Sequence, residues 1–435
     1  MSSAPFTSPL AAELAPALLE RLLRYVRIGT QSARDRTSCP STPGQLDLGR
    51  LVTGELRDAG LDDAELDENG YVTATLPGLD REPETAPIGL IAHLDTSPDA
   101  PGHGVEPLVH RSYDGGVIEL PRGGTTLDPA RMPELLAARG HDLVSTSGDT
   151  LLGADDKAGV AIVMSAVAYL ATHPELPRPP IRVGYTPDEE IGEGATLFDI
   201  SRFGARCAYT LDGSSLGELQ DESFSALEAV VTIRGIDVHP GQATGKLINA
   251  LRLGAKVVAA LPEERSPERT ADREGFIHPY EFTGTAGQAE LRMILRDFDE
   301  AKLDGYAELV RRIAGEVVGS APGAELDVEI RRQYRNMRAY LEGVPEVVAA
   351  AETAMREERI EPVRTPIRGG TDGSRLSEMG LPTPNIFTGG HEYHSVREWA
   401  SLQEMAAAAA TVVRLAGVWS RPEYAAGTSA ARSAG

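Results

Sequence analysis

Apolar positions along the chain switch between two periods. Leucines recur at helical spacing in LAAELAPALLERLLRYVRI, and the pattern returns in QLDLGRLVTGELRDAG, which predicts two helices parted by a polar, Pro-rich loop. LDDAELDENGYVTATLPG then reads as a hairpin, because Asn69-Gly70 suits a tight two-residue turn. Three short apolar runs follow, PIGLIAHLD, PIRVGYTP and CAYTLDG, with helical KAGVAIVMSAVAYLATHP ahead of the second. Strands that alternate with helices and carry continuous apolar runs predict an α/β fold, its sheet covered on both faces.

Between about Leu227 and Tyr334 the pattern changes. LEAVVTIRG alternates, KLINALRLGAKVVAALP is helical, GFIHPYEFTGTAGQAELRMILRDFD is a hairpin, EAKLDGYAELVRRIAGEVV is helical and AELDVEIRRQY alternates again. That β-α-β-β-α-β order is the ferredoxin-like split unit, and it predicts a separate inserted domain. The expected division is residues 1–222 and 337–421 for the α/β domain, 223–336 for the insert, and a disordered Ala/Ser/Gly-rich tail over 422–435.

At 435 residues the chain exceeds what one core supports, which agrees with this division. Its 42 basic and 65 acidic residues give a formal charge of -23, which repels phosphate backbones and anionic lipid and so argues against nucleic acid or a membrane as partner. Cys39 and Cys207 are too few for a disulfide framework and read as free thiols in a reducing compartment. No window approaches the roughly 18 apolar residues of a membrane span, and the start shows no basic stretch ahead of an apolar core; a cytoplasmic location is expected.

Chemistry gathers where the predicted strands end. AHLDTS puts His93 and Asp95 on one face through the strand's period of two, although a strand-end pair can be no more than a satisfied contact. Asp155 in LLGADDKAG stands at a helix start, as a metal ligand or as an N-terminal acid complementing the helix dipole. TPDEE places Asp188, Glu189 and Glu190 side by side, more charge than a solvated turn needs. Asp212 in TLDG fits a turn as well as a site, and His391 and His394 in GGHEYHS would be unremarkable alone on a loop surface. Together, however, His93, Glu189, Glu190, Asp212 and His394 follow the carboxyl ends of strands in one open sheet, the place where such sheets bind ligands. Two imidazoles with several carboxylates suit zinc, manganese or cobalt rather than copper or an iron-sulfur cluster. Two divalent ions about 4 Å apart need neutralising carboxylates; Asp155, Glu190 and Asp212 supply three, a bridging hydroxide would complete the balance, and Glu189 is left over as a base.

The motifs AHLDTSPD, LLGADDKAG, TPDEEIGEG, AYTLDG, VHPG, NMR, PIRGGTDG and TGGHEYH, in this order from Ala92 to His394, resemble peptidase T, the aminotripeptidase family of the co-catalytic zinc exopeptidases. The resemblance implies a zinc-exopeptidase-like catalytic domain, a mixed sheet flanked by helices, with the ferredoxin-like insert as a lid or dimerisation domain. It implies two zinc ions, replaceable by manganese or cobalt: His93, Asp155 and Asp212 on one, Asp155, Glu190 and His394 on the other, with Asp155 as the bridge. By the same resemblance Asp95 orients His93, Glu189 is the general base, and His239 steadies the developing oxyanion, although His239 could simply end a strand before a turn.

Arg368 is the candidate for a peptide's terminal carboxylate, since a planar guanidinium pairs with it in two places; a phosphate loop is disfavoured because no lysine follows the glycines. Asn249 and Arg338 are further candidates for substrate contact, with structural roles equally open. His391 reads as a pocket-wall residue. The expected activity is release of the N-terminal residue from a small peptide with a free N-terminus, a tripeptide. The alternatives are a related two-zinc dipeptidase, carboxypeptidase or N-acyl-amino-acid amidohydrolase, and a non-catalytic metal or peptide binder, which would have no use for a spare base. The two-helix, four-stranded insert also offers a surface for a homodimer, unless charge shields its sheet edge.

Overall fold

The computed structural model describes residues 5–79 and 86–425. Among them the chain forms two compact units. One runs to Asp221, takes up again over Ala339–Thr365 and continues from Thr371; the other is Glu222–Arg338 with Pro366–Gly370.

The first unit is built on a mixed sheet of eight strands, in the spatial order Glu65–Leu66, Val72–Leu76, Ile181–Thr186, Ile88–His93, Cys207–Gly213, Asn385–Phe387, Glu218–Gln220 and Val363–Arg364. Ile181–Thr186, Ile88–His93, Cys207–Gly213 and Asn385–Phe387 run parallel to their neighbours in that series, so their carboxyl ends share one edge. Every residue of Ile88–His93 is buried, which explains its unbroken apolar run. The helix Ala154–Thr172 packs on Ile88–His93 and Cys207–Gly213 and touches the helices Pro9–Tyr25 and Leu402–Trp419. Because it is covered nearly all round, its sequence shows no polar stripe. A cluster of Tyr71, Ile91, Phe198, Phe203, Ala208, Leu376 and Leu381 forms a further patch of core. The predicted hairpin is present, with Gly70 at φ 90° in its turn.

A second, smaller sheet joins Gly390–His391, Trp399–Ser401, Leu143–Ser145 and Leu108–His110. Strands of two or three residues brought from distant segments carry no period in the sequence, and none was expected there.

The second unit has antiparallel strands in the order Phe276–Gly284, Gln288–Asp297, Ser225–Arg234, Glu325–Tyr334, with helices Ala250–Ala260 and Glu300–Gly319. Leu227, Ala229, Val231 and Ile233 alternate along one strand and oppose Leu295, Met293, Leu291 and Ala289. Leu253, Val257, Leu303, Val310 and Ile313 of the helices close the same core. At about 1.5 to 3 kcal/mol for each large side chain removed from water, this unit has a hydrophobic core of its own.

Some expected boundaries move. Glu222, Met337 and Arg338, expected in the α/β domain, fall in the second unit. Pro366–Gly370, expected in the α/β domain, belongs to the second unit: the Ile367 amide donates to the Glu222 carbonyl (2.8 Å), and the Ile367 carbonyl accepts from Phe224 (3.0 Å). The expected disordered tail starts too early. Pro422–Ala425 is helical, and Tyr424 gives its carbonyl to Arg206 and its hydroxyl to Thr353; residues 426–435 lie outside the described residues. Among the described residues no helix is long and apolar enough to cross a membrane.

Candidate metal centre

The strand Ile88–His93 delivers His93 to the carboxyl edge of the sheet, and the chain turns inward so that Asp95 is fully buried behind it. His93 Nδ1 lies 3.2 Å from Asp95 Oδ1 and 3.1 Å from the Asp95 carbonyl, leaving Nε2 to face the cluster. Asp95 also accepts the amides of Glu189 (3.0 Å) and Glu190 (3.1 Å), so one carboxylate ties two neighbouring strand ends together.

The three adjacent acids of TPDEE point in different directions. Asp188 adopts φ 58°, ψ 27° and turns away, accepting from the Ser41 amide (2.7 Å) and Gln45 Nε2 (2.7 Å). Glu189 Oε1 accepts the Asp372 amide (3.2 Å). Glu190 Oε2 meets His394 Nε2 at 2.9 Å, while its buried Oε1 has no hydrogen-bond partner among the described residues. The crowding of charge in the sequence is thus partly relieved by geometry.

Asp155 stands between the histidines, with Oδ1 3.0 Å from His93 Nε2 and Oδ2 3.2 Å from His394 Nε2. Asp212 Oδ1 is 3.7 Å from His93 Nε2, Asp212 Oδ2 accepts from the Thr371 hydroxyl (3.3 Å), and its amide donates to Asn385 Oδ1 (2.9 Å). Donor atoms of His93, Asp155 and Glu190 lie within 4.8 Å of one another, as do those of His93, Asp156 and Asp212. His394 is 41% exposed against 2% for His93, so the cluster opens to solvent on the His394 side.

Burial pushes Glu190 up to about 8, with the Asp155 charge adding to it, and burial raises Asp212 too. Glu189 is raised well above the usual carboxylate range by burial, and the charges of Asp212, Asp372 and Glu190 add to the effect against the pull of His93. Asp155 moves the other way: hydrogen bonds to His394 and His93 outweigh its burial. His394, which burial alone would lower, is pushed up to about 11 by Asp155 and Glu190. Carboxylates outnumber imidazoles here, and one carboxylate oxygen is orphaned; both observations fit a donor set for divalent cations.

The structure therefore brings His93, Asp95, Asp155, Glu189, Glu190, Asp212 and His394 together. His239, Asn249, Arg338 and Arg368 are in the second unit. His239 Nδ1 accepts from the Gly241 amide, Asn249 caps the helix Ala250–Ala260 through the Arg252 amide, and Arg338 pairs with Glu222 at 3.5 Å. Arg368 donates to Thr270 and to the Asp272 carbonyl, its guanidinium 5.5 Å from the centre of the Phe224 ring. His391 is buried, stacked on Trp399 and bonded to Glu404 Oε2 at 3.1 Å.

Sequence reasoning missed four buried groups around the cluster. Asp156 Oδ2 accepts the His93 amide (3.0 Å), and Asp372 accepts from the Thr186 hydroxyl (2.7 Å). Lys157 is fully buried with Nζ on the Ile28 carbonyl (2.7 Å), and Glu398 accepts three backbone amides near Asp155. Asp156, Lys157 and Asp372 lie inside the quoted motifs ADDKAG and GGTDG, a signal that could have found them; Glu398 carried none.

Residues 149–417 match the family described as Peptidase family M20/M25/M40. A protein named Peptidase T from Geobacillus kaustophilus is 45% identical over 399 residues, covering 92% of this chain and 97% of that protein. Among solved structures, aminopeptidase PepT from Bacillus cereus superposes with a TM-score of 0.71 at 22% identity, over 94% of this chain and 99% of that one. A dinuclear metal binding peptidase of the M20 family from Bacillus subtilis reaches 0.60 at 14% identity, over 94% and 98%.

Proposed function

The chain belongs to the M20/M25/M40 peptidases and within them to peptidase T, and from that premise we propose a metallo-aminopeptidase that releases the N-terminal residue from tripeptides. The observation that carries the reading is Asp155 set between two imidazoles, 3.0 Å from one and 3.2 Å from the other. That arrangement suits a carboxylate shared by two cations. Asp156 is the less suitable bridge, since its oxygens already accept the amides of His93 and Gly159.

On this reading His93, Asp155 and Asp212 would hold one ion and Asp155, Glu190 and His394 the other, zinc first and manganese or cobalt as substitutes. When bound, two such ions polarise a scissile carbonyl and acidify water. The remaining work falls to the side chains. Asp95 fixes the His93 ring so that Nε2 faces the cluster, as carboxylates behind ligating imidazoles do. Glu189, with one oxygen placed by the Asp372 amide, takes a proton from the attacking water and returns it to the leaving amine. His239 is proposed to steady the oxyanion, and Arg368 to receive the terminal carboxylate with its guanidinium braced by Thr270 and Asp272. Asn249 and Arg338 complete the proposed substrate contacts.

A panel of di-, tri- and tetrapeptides beside N-blocked tripeptides tests the proposal. The free tripeptide should be cleaved fastest, lost with chelator and recovered with zinc, manganese or cobalt. Preference for N-blocked substrates, or full activity in a metal-free preparation, would overturn it.

A further inference from the structure

Glu398 is 1% exposed, and it is not among the groups to which the proposed reaction assigns a task. Its Oε2 accepts the amides of Leu152 (2.8 Å) and Gly153 (2.7 Å), and its Oε1 accepts the amide of Asp155 (2.9 Å). These donors lie where the chain is not yet helical: Gly153 is left-handed at φ 79°, and Asp155 sits at φ -83°, ψ 101°. Amides in such a segment gain no carbonyl one turn back, and leaving them buried without acceptors is costly. Burial pushes Glu398 up to about 7, while the three amide donors on its two oxygens favour the carboxylate form.

Its position in the chain adds a second consequence. Glu398 is four residues past His394 and directly precedes the strand Trp399–Ser401, which pairs antiparallel with Leu143–Ser145. One carboxylate therefore clasps the loop bearing His394 to the segment bearing Asp155. We propose that Glu398 is a positioning residue that sets the 3.2 Å approach of His394 Nε2 to Asp155 Oδ2 by holding the Asp155 amide. The inference rests on the reading of Asp155 and His394 as ligands of one ion. Glu398 meets no reacting atom and acts through Asp155.

The test compares wild type, Glu398→Gln, Glu398→Asp and Glu404→Gln as full chains. Zinc affinity is measured by competition with a chromophoric chelator, beside melting temperature and tripeptide turnover at rising zinc. In Glu398→Gln the amide NH2 must face backbone donors, and in Glu398→Asp the shortened chain retains the charge but loses reach. Both should weaken zinc binding about 10- to 100-fold, the range for groups that orient metal ligands, with turnover climbing back as zinc is raised. Glu404→Gln, which loosens His391 and the 4.0 Å contact with His141 rather than the Asp155 segment, should melt earlier with wild-type zinc affinity. Zinc affinity within twofold of wild type in Glu398→Gln, whatever its melting temperature, would overturn the proposal. Should neither Glu398 variant fold, hydrogen exchange in wild type decides: slow exchange at the Leu152, Gly153 and Asp155 amides supports the clasp and fast exchange refutes it. Failure of wild type to bind zinc would instead count against the proposed function.

Discussion

Gly159→Ala is the substitution through which packing and chemistry are most directly linked. Gly159 lies one turn into the helix Ala154–Thr172, buried against the end of the strand Cys207–Gly213. A methyl group there would stand 2.8 Å from Asp156 Cγ and closer still to Asp156 Oδ1 and the Leu211 carbonyl oxygen. The nearest of these atoms is a backbone oxygen, which no side-chain rotation can move, so the helix or the strand must retreat by more than about 1 Å. The overpacking costs at least about 1 to 3 kcal/mol, of which alanine's better helix propensity returns up to about 1. Stability should therefore fall measurably. Function should fall further, because Leu211 precedes Asp212 and Asp156 holds the His93 amide, so the retreat separates ligands from both sides. A misplacement of this size is worth about 100-fold in turnover. Tripeptide turnover, zinc affinity and melting temperature measured together check the reasoning. A variant that melts at or above wild type with unchanged zinc affinity and turnover would refute it.

Glu189→Gln should keep its metal while turnover drops by about 100- to 10,000-fold, the usual contribution of a positioned base; unchanged kcat/KM would remove Glu189 from that role. The pH dependence of metal binding follows from His394, whose pKa in the metal-free protein is pushed up to about 11, so at neutral pH it carries a proton that cobalt must displace. Because protonation competes with metal, apparent cobalt affinity should rise from pH 6 to pH 8, roughly tenfold per unit for each displaced proton; calorimetry showing a flat or falling trend would contradict this. Leu291→Ala removes a fully buried side chain from the core of the second unit and should cost about 2 to 5 kcal/mol there, read by thermal denaturation. Cobalt or zinc binding by the remaining folded protein should be unaffected, since the proposed ligands lie in the other unit.

How much of this was readable in the sequence depends on whether a group's role is local. His93 and Asp95 could be paired because a strand's period places positions two apart on one face, and Asn69-Gly70 marked its own turn. The helix Ala154–Thr172 was visible by length and composition rather than by an apolar stripe, since its surroundings bury it on nearly every side. Asp188 looked like a third member of the acidic cluster and is not, because its left-handed backbone sends the side chain to Ser41 and Gln45, more than 140 residues earlier. Glu398 escaped notice for the same reason in reverse. It acquires its place from backbone amides contributed by a remote segment, and no spacing rule within one chain segment encodes that. Pro366–Gly370 shows the limit for boundaries, where one short parallel bridge from Ile367 to Ser223 assigns five residues to the other unit.

The central claim is a pair of cations sharing Asp155. Crystals grown with zinc and measured on both sides of the zinc absorption edge would locate the ions directly. The account predicts two anomalous peaks about 3.5 to 4 Å apart, one among His93, Asp155 and Asp212 and the other among Asp155, Glu190 and His394. A single peak, or two that do not share Asp155, would contradict it.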